Sequence, residues 1–260
     1  MMKKKQLSRE VRIKALVYLI LRLSVIIVGI RQFTLGNYSA LFMCILTLIL
    51  FFIPEIINKR FQITLPNTLE IIIILFIYSA EILGEVNRYY LTVPHFDTIL
   101  HTINGFIMAG VGFALVDILN RNESVSLSLS PMFVAVVAFC FSMTTGVVWE
   151  FFEFGMDQIF QSDMQKDTII SSISSVMFHP ENLNVAVTVP IESLHVNGQE
   201  WNYGGYVDIG LIDTMKDLIV NFIGAVIFSI FGLLYLSGKS RFAGRFIPRV
   251  YTLNENESLN

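Results

Sequence analysis

Charge is scarce in this chain. Asp, Glu, Lys and Arg make up 15% of its 260 residues, where a soluble domain carries roughly 25%. Hydrophobic residues make up 54%, and the mean hydropathy is +0.63. That balance excludes a soluble globular domain and leaves an integral membrane protein. Cysteine is scarcer still. Cys44 and Cys140 both sit inside apolar runs, which makes them packing residues rather than a disulfide or a metal pair. C-x-x-C, P-loop and G-x-G-x-x-G patterns are absent, and no nucleic-acid partner is expected. The start of the chain is basic and then apolar, but no small-residue cleavage site follows and further apolar runs do, so it reads as a retained first span rather than a signal peptide. The formal net charge of -3 decides nothing, because the charges are segregated by position.

What the chain has is long apolar runs. Six of them cover about 13–30 (interrupted by Arg22 and Ser24), 38–57 (with Pro54 near its end), 68–86, 96–119, 131–154 and 214–236. Each is close to the roughly 20 residues that carry a helix across the hydrocarbon. Helices satisfy every backbone group internally, as lipid demands. A β-barrel would need short alternating strands, and Ile71-Ile72-Ile73-Ile74-Leu75-Phe76-Ile77 does not alternate. The expected fold is therefore an all-α polytopic bundle of six transmembrane helices. Residues 1–240 form one membrane domain, and 241–260 form a cytoplasmic tail.

Lys and Arg set the orientation. The N-terminal tail (Lys3, Lys4, Lys5, Arg9, Arg12), the Asn58-Lys59-Arg60 loop, the Arg121 loop and the end (Lys239, Arg241, Arg245, Arg249) are basic. The alternate loops carry Arg31, Arg88, Lys166 and Lys216. Both termini are therefore expected in the cytoplasm of a multi-pass cell-membrane protein. One long extracytoplasmic loop, 158–212, is mostly polar. Within it Glu192 to Trp201 reads as a hairpin with Asn197-Gly198 as a type I′ turn. Gly204-Gly205-Tyr206 reads as a flexible return, and Asp167 to Val176 as a surface helix. A loop of this length is usually a lid or binding element. The end, 254–260, is expected to be disordered.

The acids are placed less evenly than the spans. Glu150, Glu153 and Asp157 stand at i, i+3 and i+7 and share one helical face at the outer end of the fifth span. The fourth span enters from outside with Asp97 and His101 one turn apart and Gly105 one turn deeper. The sixth enters with Asp213, Asp217 and Asn221 at the same spacing, and the third exits with Glu81 and Glu85. Taken singly, Asp97 and Asp213 suit the first turn of a helix, and His101 suits a hydrogen-bonded packing role. Glu81, Glu85, Glu150 and Glu153 do not fit that account, because they sit at C-terminal ends where the helix dipole disfavours acids. Arg88 and Lys216 are the nearby cations in the sequence. A shared acidic cluster then requires either protonated carboxyls or a bound cation. Trp149 and Trp201 read as interfacial aromatics, with Trp149 placed to pack over the site.

The runs Phe96 to Phe106, Trp149-Glu150-Phe151-Phe152-Glu153 with Asp157, and Asp213-Thr214-Met215-Lys216-Asp217 with Asn221 and Gly224-Ala225 resemble the YjdF-like family of bacterial inner-membrane proteins. The resemblance covers roughly residues 70–236 and implies a multi-pass inner-membrane protein without implying a reaction. A weaker likeness runs to VanZ-like proteins, which carry an Asp-x-x-x-His span, a Glu-rich span and an Asp-x-x-x-Asn-x-x-Gly span and are linked to glycopeptide-antibiotic resistance at the cell envelope. This chain departs from them in its long outer loop and in having two acids on the fifth span, so that role is not carried over.

The residues themselves support three functional expectations. In the first, Asp97, His101, Glu150, Glu153, Asp213 and Asp217 ligate a divalent cation, with Glu150, Glu153 and His101 as catalytic groups. Many carboxylates with one imidazole suit Mg²⁺ or Mn²⁺ better than structural zinc. The site would activate water against a lipid-linked or envelope phosphate, although the Arg-rich clamps of many phosphatases are missing. In the second, the chain is a cation- or proton-coupled transporter, for which the inner ends offer Glu55, Glu70 and Asp117, with Arg22 near mid-membrane. In the third, the acids are structural, pairing with Arg88, Lys216 and backbone donors, and the outer loop binds a partner protein.

Overall fold

The computed structural model describes residues 9–61, 63–120 and 129–250. The lysines at 3–5, the Arg121 loop and the 254–260 tail lie outside them. In chain order the elements are α1 (Arg9–Thr34), α2 (Tyr38–Leu50), α3 (Ile53–Phe61), β1 (Ile63–Thr64), α4 (Asn67–Tyr78), a π-helical segment (Ser79–Val86), α5 (Tyr89–Thr92), α6 (Phe96–Asn120) and α7 (Pro131–Phe160). There follow β2 (Thr168–Ile170), β3 (Ser172–Ser175), β4 (Val187–Pro190), β5 (His195–Val196), β6 (Gln199–Glu200), β7 (Tyr206–Asp208), α8 (Leu211–Leu236) and β8 (Arg249–Val250).

Five helical stretches are long and apolar enough to cross a membrane: Arg9–Thr34, Tyr38–Phe61, Phe96–Asp117, Pro131–Phe160 and Leu211–Leu236. The second is broken. Pro54 has no N–H to offer the Leu50 carbonyl one turn back, so α2 stops at Leu50 and α3 restarts with the proline in its first turn. The expected third span is α4 running directly into the π-helical segment, where Asn87 N–H donates to the Ile82 carbonyl at 3.0 Å. Gly84 lies against the Tyr90 ring there, and a Cβ at that position would collide with it. The fifth span runs six residues past its expected end. Its 30 residues make about 45 Å of helix, against about 30 Å of hydrocarbon. Ser130 caps it, accepting from Phe133 N at 3.2 Å, with Pro131 at the first helical position.

The chain divides into two compact units, Met1–Gly146 with Ile219–Asn260, and Val147–Leu218. The first is the helical unit. One of its cores joins Leu21 and Val25 of α1, Cys44 of α2 and Leu69, Ile73, Ile74 and Ile77 of α4 to Ile82 and Ile107. The other joins Ala109, Phe113 and Val116 of α6, Val134 and Ala138 of α7, and Ala225 and Phe228 of α8 to Ile247. Ile247 belongs to the segment read as a tail. It is fully buried, Phe246 packs edge-on against Phe106 at 5.8 Å, and β8 pairs antiparallel with β1. Large apolar side chains such as Ile27, Ile30, Phe33 and Phe42 face outward, as a lipid-facing surface requires.

In the second unit the loop is built of antiparallel two-stranded ribbons, β2 with β7, β3 with β4 and β5 with β6. The all-α expectation is corrected to this extent. The surface helix expected over 167–176 is also corrected, because 168–170 and 172–175 form β2 and β3 and only a short 3-10 turn begins at Val176. The β-branched Thr168, Ile169, Ile170 and Ile173 favour strands, and the serines between them compete with helical backbone bonds. The hairpin forms as read. His195 pairs with Glu200 and Val196 with Gln199, with Asn197 at φ 52 and Gly198 at φ 80, as a type I′ turn demands. The return expected at Gly204 to Tyr206 leads into β7, with Gly205 against the Ile170 backbone.

Candidate functional site

In the helical unit, α6, α7 and α8 meet at a crossing made of small residues. A Cβ at Gly105 would run into the Asn221 carbonyl, and one at Gly224 into the Thr102 carbonyl. The α6 and α8 backbones therefore touch at two glycines, the packing mode that replaces hydrophobic burial in lipid. Ser142 of α7 donates its hydroxyl to the Gly105 carbonyl at 2.8 Å, and Asn221 Nδ2 faces the Ser142 carbonyl at 3.4 Å and Met143 Sδ at 3.7 Å. Asn221 is 1% exposed, and its Oδ1 has no hydrogen-bond partner among the described residues. One turn from Gly105 along α6 stands His101, buried, with Nε2 3.5 Å from Asp97 Oδ1. That separation is an ion-pair distance rather than a tight hydrogen bond. It suits a carboxylate that orients an imidazole.

The same unit holds a second polar system, between α1 and α4. Lys14 Nζ and Tyr18 OH both donate to Glu70, at 2.9 Å each. Arg22 stacks over the rings of Tyr18 and Phe52, at 5.3 and 5.2 Å. Further along, Ser24 Oγ donates to the Leu21 carbonyl and shares a hydroxyl–hydroxyl hydrogen bond with Tyr78 OH at 3.1 Å. Glu81 follows in the π-helical segment, with Oε2 buried and without a hydrogen-bond partner among the described residues. Glu85 is exposed.

In the second unit, Glu150 and Glu153, two to three turns before the end of α7, are 4% and 7% exposed, and Asp217 of α8 is 3% exposed. The Trp149 indole N–H donates to Glu153 Oε1 at 2.8 Å, and its ring leans on Phe152. Asp157 opposes the helix dipole, but three donors answer it: Ser162 Oγ, Met164 N and Gln165 N at 2.8, 2.7 and 2.9 Å. Asp213 Oδ2 accepts from Lys166 N at 2.7 Å, and Gln165 Nε2 reaches Thr214 Oγ1 at 2.6 Å. The acid that caps α8 is Asp208, which accepts from Ile212 N at 2.8 Å. Asp157 and Asp213 therefore fasten the first residues of the loop, a role that residue spacing could not reveal.

Among the described residues, the buried Asp, Glu, His, Lys and Arg side chains are His101, Glu150, Glu153 and Asp217. All four belong to the expected ligand set. The other two, Asp97 and Asp213, are half-buried. The sequence did not single out Ser142, Gly146 (where a Cβ would run into Asn221 Nδ2) or the Lys14–Tyr18–Glu70 group. A signal existed for the first two: Ser142, Gly146 and Glu150 follow at four-residue steps, on one helical face.

Apolar crossings of membrane length, a lipid-facing surface of large hydrophobic side chains and a few buried ionisable groups define a multi-pass helical integral membrane protein. More particularly, residues 13–238 match the model of the family described as "Predicted membrane protein (DUF2238)", and the chain belongs to that family. Comparison with curated proteins and with solved structures gives no match.

Proposed function

We propose that Asp97, His101, Glu150, Glu153, Asp213 and Asp217 hold a divalent cation, Mg²⁺ or Mn²⁺, on the extracytoplasmic side of a six-span protein whose third span is 67–86. Glu150, Glu153 and His101 would work on a water that attacks a lipid-linked or envelope phosphate. The observation that carries the proposal is selective burial: among the described residues, the buried Asp, Glu, His, Lys and Arg side chains are all candidate ligands. A buried carboxylate is costly unless it is protonated, paired or bound to metal. A neutral imidazole oriented by a carboxylate is a common ligand. The YjdF-like motifs fall on these same residues, and the VanZ-like pattern shares the Asp-x-x-x-His and Asp-x-x-x-Asn elements. Metal analysis of detergent-purified protein tests the proposal. One or two Mg²⁺ or Mn²⁺ per chain are expected in the wild type and none in Glu150→Gln, and a metal-free wild type after purification without chelator contradicts it.

The second reading is cation- or proton-coupled transport, and one observation favours it. Such a path must continue inward from the outer acids. Between α1 and α4, Glu70 with Lys14 and Tyr18, then Ser24 with Tyr78, then Glu81 form successive polar steps. Buried Ile74 and Ile77 stand on α4 between Glu70 and Tyr78. Proteoliposomes carrying the wild type would then dissipate a pH gradient, and Glu70→Gln would block the flux. Equal leak from both, at the level of empty vesicles, removes this reading.

A further inference from the structure

Apart from the polar groups, the helical unit contains an apolar cavity of about 140 Å³. Its floor is Leu69 and Ile73 of α4, Ile107 and Ala114 of α6, and Ile63 of β1, all less than a tenth exposed. Its mouth is marked by Phe61 at the end of α3 and Leu115 near the end of α6, 54% and 40% exposed. An apolar lining of this kind favours apolar ligands over water. Along α6 the lining runs from Ile107 to Leu115, about 12 Å at 1.5 Å per residue. One leaflet of hydrocarbon is about 15 Å deep, half of the 30 Å core. The lining therefore runs close to the depth of one leaflet, and the cavity, near the size of one that holds benzene, takes a short stretch of one acyl chain.

Charge at the mouth selects the headgroup. Asn58, Lys59 and Arg60 lie within a turn of Phe61 on α3, and all three are exposed. Lys59 is paired with Glu55 at 2.6 Å. Arg60 has no ion-pair partner among the described residues. This end of the unit thus offers a guanidinium beside an apolar slot. We infer that the chain binds one anionic phospholipid here, with a short stretch of one acyl chain in the cavity and its phosphate against Arg60. The site is separate from the acids proposed as cation ligands.

The test is native mass spectrometry of the delipidated full chain, titrated with dioleoyl phosphatidylglycerol, dioleoyl phosphatidylcholine or oleic acid. The wild type is expected to retain one phosphatidylglycerol, with about a fivefold preference over phosphatidylcholine, the factor that matches roughly 1 kcal/mol for one arginine near an anionic lipid. Ala114→Phe, which fills the slot, should lose both lipids. Leu115→Trp narrows the mouth from an exposed position and should do the same if Ala114→Phe does not fold. Arg60→Ala should keep binding and lose the preference. Unchanged retention in the folded slot variants, equal retention of the two phospholipids by the wild type, or saturation by oleic acid with no competition from phosphatidylglycerol would each overturn the inference.

Discussion

Two groups of carboxylates in this chain are treated in opposite ways. Between α1 and α4, Glu70 keeps 16% of its side chain exposed and is met by an ammonium and a phenol, each at 2.9 Å. In the last third of α7, Glu150 and Glu153 are buried more deeply, and Glu153 Oε1 accepts from the neutral indole of Trp149. The first arrangement is how a chain neutralises an acid whose task is to hold helices together. The second sets deeply buried carboxyls beside a neutral donor, and it is there that the proposed cation would supply counter-charge. Asp157, with its three loop donors, shows that an acid on the same helix can be fully occupied structurally. Position near the end of a span therefore does not decide the role. The partner does.

That contrast can be broken experimentally. The largest effect is expected at Lys14. Lys14→Ala strands the Glu70 charge and should cost about 2–4 kcal/mol, somewhat under the 3–5 kcal/mol of a fully buried pair because both side chains retain some exposure. Lys14→Met combined with Glu70→Gln should recover most of it, since removing both charges also removes the burial cost. Thermal unfolding in detergent measures both variants, and an undiminished double mutant deficit would mean that the pair acts through packing alone. Asp157→Ala comes next. It removes the acceptor for three donors and should loosen the start of the loop by about 1–3 kcal/mol, read as faster protease cleavage beside Lys166 with little change in melting temperature. Unaltered cleavage would contradict the fastening role. Smallest is Tyr78→Phe, which removes one hydroxyl from the Ser24 bond and should cost about 0.6 kcal/mol, the mean for such bonds between membrane helices. Orientation is checked separately. A cysteine at Asn197 should react with an impermeant thiol reagent in intact cells while one at Ser124, outside the described residues, should not, and the reverse labelling would move the acids to the cytoplasmic side.

Much of this was legible in the sequence because membrane helices announce themselves by length. The five stretches begin and end within a few residues of the apolar runs, and the hairpin at Asn197-Gly198 was readable from its turn chemistry. Features set by distant partners were not. The change from α to π geometry at Ser79 goes with the Tyr90 ring on Gly84. The bond from Lys166 N to Asp213 spans 47 residues. The packing of Phe246 and Ile247 could not be inferred from a basic, tail-like composition. Among the candidate ligands, helical spacing identified which acids share a face, but it could not tell the buried Asp217 from Asp213 one turn away, whose carboxylate accepts from the loop.

The most direct test of the cation proposal is the melting temperature of the detergent-purified protein with and without chelator. A cation bound only to the folded state, at a hundredfold excess over its dissociation constant, adds about 2.7 kcal/mol. Chelator should lower the wild-type melting temperature and Mn²⁺ or Mg²⁺ should restore it, while Glu150→Gln and His101→Ala respond to neither. A wild type that melts at the same temperature in chelator and in excess metal would contradict the cation site and leave protonated or internally paired carboxyls as the state of Glu150, Glu153 and Asp217.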